Sequence, residues 1–195
     1  MGIDTGKDLH VVVSRWLPKG NGKREVIYLG ICREYAELDE LMKRFSVRRA
    51  VIDALPEIHA TRAFALRHRG KVWLNYFQEA QRGSYRWDAD QWIVQENRTE
   101  AMDASRQVLR RGDLVLPRRG SLVEEFAEHV ASDVKQLVED EDTGAKSYRY
   151  VRTGTNHFSL ALTYDCIAWS RERFSSPGAV SSGHVALSDI FTKPW

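Results

Sequence analysis

The spacing of apolar positions changes several times along the chain, and each change marks an element. β-Branched and aromatic residues crowd 9–17 (LHVVVSRWL) and 24–31 (REVIYLGI), either side of PKGNGK, which predicts two strands joined by a turn. Over 34–45 the period lengthens: Tyr35, Leu38, Leu41, Met42 and Phe45 recur at three and four, as on an amphipathic helix. RRAVIDAL then reads as a short strand ending at Asp53. Pro56 suits a first helical turn, and EIHATRAFALRHRG follows as a helix closed by Gly70. KVWLNYF predicts a further strand. The order strand, strand, helix, strand, helix, strand is that of an α/β sheet with helices packed on it.

The second half continues the alternation. SYRWDADQWIVQEN has aromatic and β-branched residues on both sides of DAD and predicts a hairpin. Thr99 is placed to cap a helix running to Arg111, with Gly112 stopping it. DLVLP is short and extended. Ser121 with Glu124 forms a capping-box pattern for a helix whose apolar face is Leu122, Phe126, Val130, Val134 and Leu137, ended by the acidic run EDED and Gly144. SYRYV predicts one more strand, and Thr155 or Asn156 caps a last helix reaching about position 173. These elements fit one domain over 1–175, with a Ser-, Pro- and Gly-containing tail over 176–195 that is loosely structured or ready to bind a partner.

Composition narrows the class. Apolar and charged residues make up 43% and 29% of 195 residues, as in ordinary globular proteins. No apolar run approaches the ~20 residues that span a bilayer, and no signal-peptide pattern follows Met1, so a soluble, cytoplasmic protein with no membrane partner is expected. Cys32 and Cys166 lack metal-site spacing and are expected to be small buried hydrophobes. The net charge of +2 does not argue for nucleic acid, but charge is segregated: six arginines face three acids over 98–119, while 139–142 is wholly acidic.

Candidate chemistry starts with GIDTGKD. It is one residue short of a phosphate loop and has Asp8 where a magnesium-binding Ser or Thr belongs, so nucleotide binding there is rejected. What remains is Asp4 and Asp53, each at the end of a different predicted strand, where open α/β sheets collect ligands. If two carboxylates meet away from water, a divalent cation with oxygen ligands is their natural neutraliser. The alternative is that Asp4 is a turn residue and Asp53 a turn residue or helix cap. On the apolar last helix, Asn156, His157 and Asp165 are the polar exceptions. His157 and Asp165 are two turns apart, about 12 Å along the axis, so one ion cannot easily use both.

GIDTGKD, AVIDALPE, NRTEAMD, GDLVLP and TNHFSLALTY, in this order, resemble the nuclease domain of a tailed-bacteriophage terminase large subunit over most of 1–173. The resemblance implies a ribonuclease H-like fold, a mixed sheet that opens with antiparallel strands and is flanked by helices. It implies an acidic site for two divalent ions, Mg²⁺ or Mn²⁺, that cuts concatemeric viral DNA during genome packaging. By resemblance Asp4 is the first metal ligand, Asp53 the second, and His157 the third catalytic residue. Where the family usually has Asp before that His, this chain has Asn156, which offers a neutral carbonyl oxygen. Asp165 is a weaker candidate to add charge. An imidazole ligand favours Mn²⁺ over Mg²⁺.

Two such ions, about 4 Å apart, activate a water and stabilise the leaving 3′-oxygen. Asp8 and Glu57 are nearby acids able to orient water. Lys7, Lys71, Arg82 and Arg86 are candidate phosphate contacts on double-stranded DNA, and the aromatics Tyr85, Trp87 and Trp92 either lie along the duplex or pack the sheet. The resemblance further implies an ATPase in an N-terminal portion absent from this chain, a small terminase subunit and a portal protein as partners, and the infected bacterial cytoplasm as location. A Holliday-junction resolvase or transposase-type nuclease shares Asp4 and Asp53 in this reading. A non-catalytic DNA- or partner-binding module is the alternative from another class.

Overall fold

Strand pairing begins at the first residues of the computed structural model, which describes residues 1–20, 22–139 and 144–172. β1 (Gly2–Asp4) pairs antiparallel with β2 (Leu9–Trp16), and β2 with β3 (Arg24–Cys32). Helix α1 (Tyr35–Arg44) then crosses so that β4 (Ala50–Asp53) lies parallel to β1 on its other side, and α2 (Ile58–Arg67) repeats the crossover to β5 (Val72–Phe77). The hairpin β6 (Arg86–Asp88) and β7 (Ile93–Glu96) adds β7 parallel to β5. After α3 (Arg98–Arg110), β8 (Leu114–Val115) pairs parallel with β3 at the far edge. The mixed sheet has the order β6-β7-β5-β4-β1-β2-β3-β8. The described residues continue with α4 (Ser121–Ala131), a separate hairpin of β9 (Asp133–Glu139) and β10 (Lys146–Arg152), and α5 (His157–Glu172).

The period-two alternation of the strands decides which helix packs where. Ile3, Val11, Val13, Ile52, Val72 and Leu74 point to one face, against Leu38, Leu41 and Met42 of α1 and Phe64 and Ala65 of α2. Their neighbours Val12, Val51, Trp73 and Val94 point to the other face, beneath α3, α4 and α5, where Phe126, Phe158, Leu162, Tyr164 and Ile167 are buried. Helix α5 lies directly on the start of β1. A Cβ at Gly2 would come within 2.0 Å of the Ala161 carbonyl oxygen and 2.2 Å of the Asp165 nitrogen, so only glycine permits that approach. Cys32 and Cys166 are free and buried, as small hydrophobes. No helix among the described residues is long and apolar enough to cross a membrane.

Four boundaries differ from the sequence expectation. The helix expected to continue past Val130 stops at Ala131, and 133–139 forms β9, paired along its length with β10. Val134 and Leu137 are 40% and 55% exposed, so no apolar stripe extends the helix, and Asp133 is pinned where it ends by Arg106, Asn156 and Ser159. Asn97, not Thr99, caps α3, accepting a hydrogen bond from the Glu100 N–H at 3.1 Å. Ser121 is the first helical residue of α4 behind Gly120 and makes no capping bond, and Pro56 precedes α2, whose cap position is Glu57. The acids at 140–142 and the tail after 175 lie outside the described residues.

Candidate metal centre

β1, β4, β5 and β7 run parallel and finish at one edge of the sheet, and each places one polar residue there on the face under α5. In the β1–β4 ladder Ile3 pairs with Ile52, so the next residues, Asp4 and Asp53, stand side by side. Asp53 is the register partner of Asn75 on β5, and Asn75 Nδ2 donates a hydrogen bond to Glu96 Oε1 at the end of β7. On the other flank antiparallel β2 begins at this edge and sets His10 opposite Asp4. One side chain per strand thus makes a row: Glu96, Asn75, Asp53, Asp4, His10. Asp4, Asn75 and Glu96 are 2%, 1% and 1% exposed.

Helix α5 roofs the row. His157, in its first turn, has Nδ1 2.8 Å from Asp4 Oδ2. Tyr164, seven residues on and so on the same side of the helix, donates its hydroxyl to Asp53 Oδ2 at 2.8 Å. The Leu55 N–H donates to the other Asp53 oxygen at 3.1 Å. Each aspartate is therefore held by one helical side chain.

Burial sets the electrostatics. It pushes Asp4 up to about 6 although His157 opposes the shift, and the neighbouring Asp53 charge adds to the rise. Burial also raises Asp53, against the hydrogen bonds from Tyr164 and the Leu55 backbone. Glu96 is driven to about 8 by burial, with Asn75 opposing and Asp53 reinforcing. The guanidinium of Arg98 acts on both aspartates but does not restore either to its ordinary range. The hydrogen bond to Asp4 raises His157, whereas burial lowers His10 to about 4, helped by His157 and His129. Three carboxyl groups thus share one sheet edge with too little positive charge. Glu96 Oε2 and Asn75 Oδ1 are buried without a hydrogen-bond partner. Carboxylates, amide oxygen and imidazole are ligand types a divalent cation takes, and those of Asp4, His10 and His157 lie within 4.8 Å of one another.

Of the residues singled out in the sequence, Asp4, Asp53 and His157 come together here. Asn156 faces away: its Nδ2 donates to Asp133 Oδ1 at 2.8 Å in a buried network where Arg106 Nη2 also donates to Ser159 Oγ at 2.6 Å. Asp165 is buried further along α5, accepting from Ser14 Oγ at 2.6 Å and Arg24 Nη1 at 3.3 Å, with no contact to the row. Lys7, Arg82 and Arg86 are exposed in the segments bordering this edge, whereas exposed Lys71 precedes β5 at the opposite end of the sheet. Asp8 and Glu57 also border the edge, half-buried and exposed respectively. Trp87 and Trp92 pack their rings 5.0 Å from Trp73, and the Arg171 guanidinium sits 4.0 Å above Trp73, so both tryptophans are tied to the sheet.

Sequence reasoning misses Glu96, Asn75 and His10. Glu96 satisfies the rule that selects Asp53, an acid closing an apolar strand, but QEN also reads as the approach to a helix cap. His10 and Asn75 lie inside strand patterns and carry no signal of their own. A cleft among Trp16, Arg44, Arg48, Arg49 and Trp169 lies at the other end of β1 and β2 and includes none of the row. Comparison with protein-family models, with characterised proteins and with solved structures gave no match.

Proposed function

We propose that this chain is a metal-dependent endonuclease of the ribonuclease H-like class that cleaves double-stranded DNA, of the terminase kind that cuts concatemeric phage DNA during packaging. The observation that carries the reading is the pairing of buried Asp4 with half-buried Asp53 on adjoining parallel strand ends, with His157 in contact with Asp4. The sheet agrees with it, since its first three strands are antiparallel and the next two crossovers return parallel to β1. Three carboxyls with raised proton affinity cost stability, and of the three only Asp4 has an ion-pair partner among the described residues, His157, which favours a cation site over a non-catalytic binding module.

Asp4 and Asp53 would hold the cation, with Glu96 and His157 beside them. Bound divalent ions supply an activated water and charge stabilisation at the leaving oxygen. The chain's own residues do the rest. Tyr164 fixes the rotamer of Asp53, and His157 orients Asp4 while holding a proton at Nδ1. Lys7, Arg82 and Arg86 provide positive charge along the same edge for phosphates, a contact that positions DNA without reading its sequence. Supercoiled plasmid and linear duplex incubated with Mn²⁺ or Mg²⁺ test the proposal. Nicking by the wild type, lost in Asp4→Asn and Asp53→Asn, supports it; equal nicking by all three refutes it. Preference for branched over plain duplex DNA would assign the chain to the resolvase type instead.

A further inference from the structure

Two groups of potential ligands meet at the centre of the molecule, each with ligand atoms within 4.8 Å of one another: Asp4, His10 and His157, and His10, Glu125 and His129. Tautomer chemistry separates them. His129 Nδ1 accepts the Phe158 N–H at 3.2 Å, so in the neutral ring the proton sits on Nε2, 3.8 Å from Glu125 Oε1. Both nitrogens are committed, and His129 has no lone pair left for a metal. His10 is the reverse case. Its Nδ1, buried in a residue only 7% exposed, has no hydrogen-bond partner. In the tautomer protonated at Nε2 that nitrogen, Nδ1, presents an open lone pair, on a residue whose ligand atom lies within 4.8 Å of those of Asp4 and His157.

The surroundings fix that lone pair in place. The His10 ring stacks on His157 with centroids 4.5 Å apart and planes 19° from parallel, and meets Phe158 edge-on at 4.9 Å. Its strand register sets it opposite Asp4. The next nitrogen beyond the carboxylate row is therefore pre-positioned on a rigid strand and costs no loop ordering.

We propose that His10 is a further metal ligand, and that Asp4 and His10, with the His157 ring stacked beside them, form a nitrogen-containing cation position that selects a transition-metal ion such as Mn²⁺, Co²⁺ or Zn²⁺ over Mg²⁺. Imidazole suits these ions, and Mg²⁺ prefers an all-oxygen shell. The inference rests on the cation site proposed above and deepens it by assigning the ion class and the residue responsible.

The test needs no DNA. Pulsed electron paramagnetic resonance of Mn²⁺ bound to the wild-type protein should show ¹⁴N modulation from imidazole, weakened in His10→Phe, which keeps an aromatic ring in the stack. Calorimetry should show Mn²⁺ and Co²⁺ affinity falling at least about tenfold in His10→Phe, with Mg²⁺ affinity changed less than about twofold. His10→Gln, paired with a thermal melt, covers the case in which the phenyl ring disturbs folding. Absence of ¹⁴N coupling in the wild type, or an equal loss of Mg²⁺ and Mn²⁺ affinity in the variants, overturns the inference. Failure of the nuclease reading would show itself differently, as metal binding with the expected selectivity but no cleavage of DNA.

Discussion

Replacing Glu96 by glutamine separates the cost of the proposed metal centre from its use. In the folded protein Glu96 ionises at about 8 rather than at its ordinary 4.5, because it is buried and faces Asp53 with only Asn75 to compensate. The folded state therefore binds a proton that the unfolded chain has released. Stability is undiminished below about pH 4.5, falls as pH rises through the interval, and levels off above about 8. At pH 7 the penalty is about 3 kcal/mol, since each pH unit climbed above the ordinary midpoint costs ~1.4 kcal/mol. Glu96 is 1% exposed, so solvent screening takes little from this figure. Glu96→Gln removes the ionisable group yet still accepts from Asn75. In EDTA at pH 7 the variant should melt roughly 6–12 °C higher than the wild type. With Mn²⁺ present the order should close or invert: a ligand at 100 times its Kd stabilises the wild type by about 2.7 kcal/mol, and the variant should gain less. Thermal melts across pH 5–9, with and without Mn²⁺, read both effects. A variant less stable than wild type in EDTA, or one with the full Mn²⁺ shift, would refute the reasoning.

Other substitutions probe the neighbouring contacts. Asn156→Asp, which family resemblance would favour as restoring a ligand, instead sets a carboxylate against Asp133; it should cost about 1–3 kcal/mol in chemical denaturation without raising Mn²⁺ affinity, and adding Asp133→Asn should recover part of the loss. Tyr164→Phe deletes the hydrogen bond that orients Asp53, so calorimetric Mn²⁺ affinity should fall about 10–100-fold with little change in fold. Because Asp4 ionises at about 6 and must release its proton to bind a cation, Mn²⁺ affinity should climb from pH 5 to 7; a further climb towards pH 8 comes from Glu96 together with His157, whose proton affinity is also raised, and should shrink in Glu96→Gln.

The strands and most helices are legible in the sequence because the β-branched run in LHVVV and the period of three to four in YAELDELM admit few alternatives. Legibility fails where the deciding partner is remote. The stripe from Leu122 to Leu137 fits a helix, but only cross-strand pairing with 146–152 and the anchoring of Asp133 by Arg106 show that the second half extends. At the site, Asp4 and Asp53 are visible as acids at strand ends, but their adjacency comes from a ladder between segments far apart in sequence. Asn156 and His157 are neighbours in the chain, yet side chains one residue apart leave a helix in different directions, and only one reaches the row. Glu96, Asn75 and His10 become meaningful only when five strands have assembled in order.

Whether Asp4 and Asp53 together hold a divalent cation is tested most directly by Mn²⁺ titration calorimetry on the wild type and Asp53→Asn. The expected result is saturable Mn²⁺ binding to the wild type, absent or at least about 100-fold weaker in a variant that melts as a folded protein. Undiminished binding in Asp53→Asn, or none in the wild type, would contradict the assignment of the pair as a metal centre.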